Sequence, residues 1–156
     1  MQNNNKFHTV RGYQLLEQNK RILTSAMEDY LEMIYRYSLT DDQVRINTIS
    51  ELLNVQASSV TKMVQKLSEL GMVDYKKYGI LSLTDIGKEI GHFLLHRHQI
   101  IESFLKLIGV SDSLLIETEL MEHTISVDTL NRLHALTLLF EQHPNLIDEY
   151  DKILQQ

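Results

Sequence analysis

Three potential metal ligands cluster near residue 120. Glu119, Glu122 and His123 stand at positions i, i+3 and i+4 of a segment with helical periodicity, so their side chains are expected to share one face of a helix. Carboxylate oxygens and imidazole nitrogens in such a group are suitable ligands for a divalent cation. Glu117 lies close by, and an ordinary acidic surface in contact with water would explain the same residues. The spacing alone leaves both interpretations open.

A second acidic pair occurs far upstream. Asp29 and Glu32 are three residues apart, beside the apolar stripe of another predicted helix. By itself this pair is also compatible with a solvated surface. Neither acidic group is therefore sufficient to establish a metal site.

The histidines of the long helix predicted after residue 85 are a third candidate group. His92 and His96 have the i, i+4 spacing of a helical zinc pair, but no carboxylate or cysteine accompanies them, so we interpret them as partly buried polar residues. No spacing rule within the sequence distinguishes His98.

The elements that carry these residues are mostly helical. The chain has one proline and six glycines in 156 residues, and long stretches have a period of 3.6. Ser25 to Glu28 have the form of a capping box, with Ser25 as the N-cap of the helix that carries Asp29 and Glu32. Before it, the sequence indicates at most a helical turn around Tyr13, Leu15 and Leu16.

The segment from residue 48 to residue 84 has the pattern of a winged helix-turn-helix. A short helix is predicted over 48–53, and a second from residue 58 to Gly71, whose glycine suits a left-handed C-cap. A β-hairpin with its turn at residues 77–79 follows and forms the wing. The apolar stripe of the second helix consists of Val60, Met63, Val64, Leu67 and Leu70.

The other face of this second helix is polar and cationic, as expected for a helix that enters the major groove of DNA. Hydroxyl and lysine side chains suit phosphate oxygens, and Gln65 could pair with an adenine edge. The wing adds two lysines. We predict the following DNA-binding residues: Gln56, Ser58, Ser59, Thr61, Lys62, Gln65, Lys66, Lys76 and Lys77.

The rest of the chain is predicted to be helical. The long helix covers about residues 85–108 and ends before Gly109, two more cover about 112–124 and 127–142, and Pro144 precedes a short terminal helix.

The distribution of charge agrees with this division. The net charge is −6, but residues 1–101 carry 12 basic and 11 acidic residues, whereas residues 102–156 carry 3 and 10. The segment predicted to contact phosphate is thus close to neutral, and the acidity lies elsewhere.

Composition also limits the chemistry. The absence of cysteine excludes disulfides, thiolate zinc sites, iron–sulfur clusters and thiol catalysis, so any metal must bind through nitrogen and oxygen. No apolar run approaches the roughly 20 residues of a membrane span, and the N-terminus lacks the apolar core of a signal peptide. We therefore expect a cytoplasmic protein with no membrane partner.

Four separated segments resemble the manganese transport regulator branch of the diphtheria toxin repressor family. They are residues 27–35, residues 58–67, the stretch from Arg97-His98 through Phe104-Leu105 to Ile108-Gly109-Val110, and residues 119–123. The similarity covers about residues 25–143 in the family's order.

The resemblance implies a mainly α-helical homodimer with a small β-hairpin wing. The implied division is an N-terminal extension (1–24), a winged helix-turn-helix domain (25–88), and an all-helical metal-binding and dimerisation domain (89–156). Two Mn²⁺ ions per protomer are expected between the domains, ordering the dimer for a palindromic operator in double-stranded DNA. The implied function is repression of metal-uptake genes. The implied metal ligands are Asp29, Glu32, His98, Glu119, Glu122 and His123.

The same resemblance bears on the choice of metal. Iron-responsive members usually have methionine and cysteine where this chain has Asp29 and Glu119, and hard oxygen ligands favour Mn²⁺. Fe²⁺, Co²⁺ or Zn²⁺ could bind as tightly in vitro. At the wing tip, Gly79 and Ile80 depart from the family pattern.

Rival interpretations remain. The chain could be an iron- or zinc-responsive member of the same family, or a winged-helix regulator that needs no metal. A di-iron carboxylate enzyme would want a Glu-x-x-His motif on each of two helices, and the sequence has no such pair. With no nucleophile–base constellation or phosphate-cradling loop either, we predict neither enzymatic activity nor a small-molecule substrate.

Overall fold

The computed structural model describes residues 3–19, 22–41 and 43–156, with the side chains of residues 3–9 and of Lys77 outside the description. The chain forms two compact units, Met1–His96 and Arg97–Gln156. The mainly α-helical class predicted from the sequence is confirmed. Within the described residues, no helix combines the length and apolarity needed to cross a membrane.

The described elements of the first unit are α1 (Asn3–Asn19), α2 (Ser25–Ser38), β1 (Val44–Arg45), α3 (Ile46–Leu52), α4 (Ala57–Glu69), β2 (Val73–Tyr75), a 3₁₀ turn (Lys77–Gly79), β3 (Ile80–Leu83) and the beginning of α5 (Asp85–Leu107). The three strands form a small antiparallel sheet in the order β1-β3-β2.

The core of this unit lies where α2, α3, α4 and the sheet pack together. Ile34 of α2, Ile49 of α3 and Val64 of α4 are fully buried, as is Leu81 of the central strand. Of the predicted stripe on α4, Met63 and Leu70 are only half-buried. The buried stripe holds α4 against the domain and leaves its opposite face to solvent.

Three local predictions needed correction. The N-cap of α2 is Thr24, whose hydroxyl accepts a hydrogen bond from the Met27 backbone N–H, so the capping box centred on Ser25 was wrong by one residue. The short α3 begins at Ile46, two residues earlier than expected. It does so because Val44 and Arg45 are not loop but an edge strand that pairs with Leu81 and Ile80.

The N-terminal residues form a larger element than the sequence indicated. Instead of a single turn, α1 has 17 residues. It packs on α5, with the Tyr13 and Phe93 rings 5.7 Å apart between centroids and with Leu16 buried.

The second unit contains the rest of α5, α6 (Leu114–Glu122), α7 (Val127–Gln142) and α8 (Asn145–Leu154). Ser126 caps α7 by accepting a hydrogen bond from the Thr129 backbone N–H, and Gly109 ends α5 with a positive φ of 90°. The Tyr150 hydroxyl donates to the Ile108 carbonyl and so ties α8 to the end of α5. The predicted α6 was longer than the observed one by about two residues at each end.

Candidate metal centre and nucleic-acid interface

The outer face of α4 presents the predicted DNA-binding side chains to solvent. Ser58, Ser59, Lys62, Gln65 and Lys66 are all exposed, as is Gln56 at the N-cap. Thr61 differs from them, because it is half-buried and its hydroxyl donates to the Ala57 carbonyl at 2.9 Å. Its side chain is therefore engaged within the helix, whereas the others are available to phosphate or base edges.

The wing is a short two-stranded hairpin with a tight tip. Val73 pairs with Leu83 and Tyr75 with Leu81, and the Lys76 N–H donates to the Ile80 carbonyl at 2.8 Å. Lys76 is exposed, which suits a phosphate contact. The side chain of Lys77 lies outside the described residues.

One hydroxyl connects α4, the hairpin and α5. Thr84 donates to the carbonyls of Gly71 (2.7 Å) and Met72 (3.2 Å), and accepts from the Gly87 N–H in the first turn of α5. Gly71, at φ +69°, ends α4 in the left-handed conformation predicted for it. Thr84 thus joins the end of α4 to the first turn of α5, at the position that directly follows β3.

In the first unit, α2 carries two of the predicted metal ligands. Asp29 and Glu32 lie one turn apart on this helix, and Asp29 is accessible to solvent. Glu32 is only 7% exposed, and its carboxylate accepts a hydrogen bond from Arg36 on the next turn. A carboxylate so buried is stable when a cation faces it, and Arg36 supplies one.

In the second unit, α5 and the end of α6 bring together three further predicted ligands. His98 Nδ1 lies 2.9 Å from Glu122 Oε2, and His123 Nε2 lies 3.9 Å from Glu122 Oε1. Glu122 is 3% exposed and His98 is 8% exposed. Each oxygen of one buried carboxylate therefore faces an imidazole nitrogen.

Glu119 is the predicted ligand that the second unit does not bring to this cluster. It is exposed on α6. Among the described residues, it belongs to no group of three or more possible ligands whose donor atoms lie within 4.8 Å of one another. His92 and His96 likewise belong to no such group among the described residues, and their rings stack 6.3 Å apart between centroids.

The donor chemistry of the cluster fits a divalent ion. Glu122 offers hard oxygen and the two histidines offer borderline nitrogen, the types that Mn²⁺, Fe²⁺ and Zn²⁺ accept. A buried carboxylate is costly without a positive partner, which either a protonated imidazole or a metal would supply. Sequence reasoning could not find His98 from spacing, because it lies 24 residues from Glu122 on a different helix.

Two family models match the chain in succession. Residues 22–81 match the iron dependent repressor, N-terminal DNA binding domain, and residues 84–147 match the iron dependent repressor, metal binding and dimerisation domain. The exposed face of α4 and the wing belong to the first, and the His98–Glu122 pair belongs to the second.

Similar proteins agree with these models. The chain is 38% identical over 134 residues to the HTH-type transcriptional regulator MntR of Oceanobacillus iheyensis, covering 85% of this chain and 91% of the relative. It is 41% identical to the protein of that name from Shouchella clausii, covering 83% and 92%.

Among solved structures, the manganese regulator SloR is similar with a TM-score of 0.59 and 33% identity. That match covers 70% of this chain and 52% of the other, so the chain spans about half the length of SloR. Since two regulators align over nearly their whole length and both domain models are matched in order, the chain belongs to the manganese transport regulator branch of the diphtheria toxin repressor family of metal-dependent transcriptional regulators.

Proposed function

We propose that this protein is a manganese-dependent repressor of metal-uptake genes. The observation that carries the proposal is the buried Glu122 carboxylate with an imidazole nitrogen facing each of its oxygens. The choice of manganese is supported by the names of the MntR relatives and of SloR. It is supported also by a donor set without sulfur, because the chain has no cysteine.

The proposed ligands are Asp29, Glu32, His98, Glu119, Glu122 and His123, holding two ions per protomer. Bound divalent ions would supply four positive charges against four carboxylates that otherwise repel one another. Glu32 would exchange its ion pair with Arg36 for a metal contact, and His98 would turn a nitrogen toward the ion. Glu119 is exposed, so its participation requires the side chain to reorient.

Metal binding is proposed to control DNA binding by ordering the chain. The six proposed ligands come from α2 in the DNA-binding domain and from α5 and α6, so ions that engage them all would order these elements. A ligand that binds only the ordered arrangement stabilises it by RT ln(1 + [L]/Kd), roughly 2.7 kcal/mol per site at a hundred times Kd. The α4 helix, with Lys62 and Lys66, would then be held in one orientation for contact with DNA.

Homodimerisation is supported by apolar surface on the second unit. Leu115, Ile116 and Leu120 of α6 are 59%, 63% and 68% exposed, and a cluster of large apolar side chains in water is typical of a protein–protein interface. A two-fold dimer would place two α4 helices on successive turns of DNA about 34 Å apart, which favours a palindromic operator.

A DNA-binding titration with parallel metals tests the proposal. The probe is a duplex selected by the Mn²⁺-loaded protein from a random-sequence pool about three helical turns long. The expected result is tight binding with Mn²⁺ and none after chelation. DNA binding with Fe²⁺ or Zn²⁺ but none with Mn²⁺ would reassign the effector, and equal binding without metal would contradict the proposal.

Two ligand variants complete the test, with one matched control. Glu122→Ala and His123→Ala are expected to remain folded dimers that no longer gain DNA affinity when Mn²⁺ is added. Glu141→Ala removes an equal charge from an exposed position on α7 and should respond like the unmodified protein. Unchanged Mn²⁺ dependence in both ligand variants would show that the site is misplaced.

A further inference from the structure

The tip of the wing holds a tyrosine in an unusual backbone conformation. Tyr78 has φ 69° and ψ 24°, in the left-handed region, and Gly79 follows with φ 74°. Glycine adopts this region without cost, but a bulky side chain there is uncommon. Among the described residues, the only other non-glycine with positive φ is Asn54, a type that tolerates it.

The side chain of Tyr78 gives the fold little in return. It is 89% exposed, more than any other large apolar or aromatic side chain in the described part of the chain. The tip is closed without it, by the Lys76 N–H on the Ile80 carbonyl. Packing therefore does not explain why the turn carries tyrosine at this position rather than glycine or asparagine.

The position of Tyr78 indicates what it contacts. It lies at the end of the hairpin that follows α4, close in sequence to the exposed Lys76. Tyrosine hydroxyls donate to DNA phosphate oxygens, and the ring offers an apolar face to a deoxyribose. An exposed aromatic residue two positions from an exposed lysine suits the sugar–phosphate backbone better than it suits an apolar protein surface.

We propose that Tyr78 is a DNA-binding residue, contacting the sugar–phosphate backbone with its ring and hydroxyl. This inference rests on the proposed function, since it requires that the winged helix bind DNA. The interaction is independent of base sequence and carries no charge. Removing it should therefore lower affinity equally for all duplexes and leave the salt dependence unchanged, unlike the removal of a lysine.

Salt-dependent binding to a random-sequence duplex in Mn²⁺ separates these effects. Tyr78→Ala is expected to weaken binding about tenfold per wing, and Tyr78→Phe about threefold, from the worth of one hydrogen bond. Both should keep the slope of log K against log salt concentration. Lys76→Ala should instead reduce the magnitude of that slope by about 0.9 for each phosphate contact that is lost.

Two further variants make the result interpretable. Tyr78→Gly relieves the left-handed backbone, so it should unfold at an equal or higher temperature while binding DNA as weakly as Tyr78→Ala. Tyr37→Phe, on α2, removes a hydroxyl that donates to Asp41 and should leave DNA affinity unchanged. This pairing separates a weakened DNA interface from a destabilised fold.

The outcomes are distinct. Affinities of Tyr78→Ala and Tyr78→Phe equal to that of the unmodified protein would overturn the inference and assign the exposed ring to another partner. A fall in affinity together with a fall in the thermal stability of Tyr78→Gly would also overturn it, because the side chain would then serve the fold. Failure of the unmodified protein to bind DNA in Mn²⁺ would overturn the proposed function first, and this inference with it.

Discussion

Gly12 of α1 lies against the backbone of Glu89 in α5, so closely that an added Cβ would stand 2.3 Å from the Glu89 carbonyl oxygen. It would also lie 2.8 Å from Phe93 Cβ. The matched DNA-binding model covers residues 22–81, so α1 lies outside it. Its docking depends on the absence of a side chain at one position.

Gly12→Ala should therefore destabilise the first unit. In an exposed helix the same change stabilises by roughly 1 kcal/mol, but overpacking at a backbone contact costs about 1 to 3 kcal/mol. Urea denaturation should show a net decrease in the free energy of unfolding. Gln18→Ala, at an exposed site of α1, is the control and should be nearly neutral. A stabilised Gly12→Ala variant would mean that α1 is not docked as described.

The buried pair of His98 and Glu122 should show strong energetic coupling without metal. Removing either partner leaves the other buried and uncompensated, and coupled neighbours of this kind typically interact by about 0.5 to 3 kcal/mol. A double-mutant cycle of His98→Ala and Glu122→Ala in chelator, followed by thermal unfolding, measures the coupling. His134→Ala on α7 provides the comparison for removal of a histidine elsewhere. Additive effects in the cycle would argue against the 2.9 Å contact.

Lys62→Ala and Lys66→Ala should weaken DNA binding and reduce its salt dependence, while metal affinity stays unchanged. Both lysines are exposed on the outer face of α4, and each phosphate that is no longer neutralised lowers the salt slope by about 0.9. Fluorescence anisotropy at several salt concentrations gives the slope, and calorimetry gives the metal affinity. Lys106→Ala, which removes an equal charge paired with Glu102, is the control. A change in metal affinity without a change in slope would reverse the assignment of the two functions.

Tyr35 should make the protein sensitive to alkali. Burial, together with the negative charge of Glu89, raises the pKa of the Tyr35 hydroxyl above its ordinary value of 10.0. Above pH 10 the unfolded chain loses this proton first, so the free energy of unfolding falls as pH rises toward the folded pKa. Tyr35→Phe should lessen that decline in denaturation curves from about pH 9 upward, whereas Tyr37→Phe should not. Parallel declines in all three proteins would exclude Tyr35 as the cause.

The surroundings of Tyr35 add one requirement to that experiment. The ring lines a cavity of about 420 Å³ together with Arg11, Asp85, Lys88, Glu89 and His92. Gly91 packs closely against the Tyr35 side chain, since a Cβ added to Gly91 would lie 2.5 Å from Tyr35 Cβ. Phenylalanine keeps the ring in this contact, so the substitution isolates the hydroxyl.

Sequence reasoning succeeded where a pattern lies within one element. The apolar stripe on α4, the left-handed Gly71 and the hairpin followed from periodicity and turn chemistry, because each depends on residues close together in the chain. The edge strand at Val44 and Arg45 was missed because two residues carry no period, and only pairing with β3 defines them. The α1 helix was underestimated because its sequence is polar overall, and its docking is seen only in contacts with α5 such as that of Tyr13 with Phe93.

The proposed metal ligands show the same limit. Helical spacing grouped Glu122 with His123 but left open whether they form a metal site or an acidic surface, and the structure places Glu122 Oε1 3.9 Å from His123 Nε2. His98 could be chosen only by family resemblance, because no rule links it to a carboxylate 24 residues later. Glu119 shared the spacing of its neighbours but is exposed, which shows that position on a helical face does not by itself determine burial.

The three hydrogen bonds of the Thr84 hydroxyl have a mechanical consequence for DNA recognition. Since one side chain joins the end of α4, the base of the hairpin and the first turn of α5, we expect the spacing between α4 and the wing to vary little. Gly87 allows the first turn of α5 to pack closely against the Met72 carbonyl, because a Cβ at this position would not fit there. If the spacing between α4 and the wing is fixed, the protein cannot adapt to variations in groove width. The duplex must then deform to fit it. Base steps that the protein never touches would then affect affinity through their stiffness.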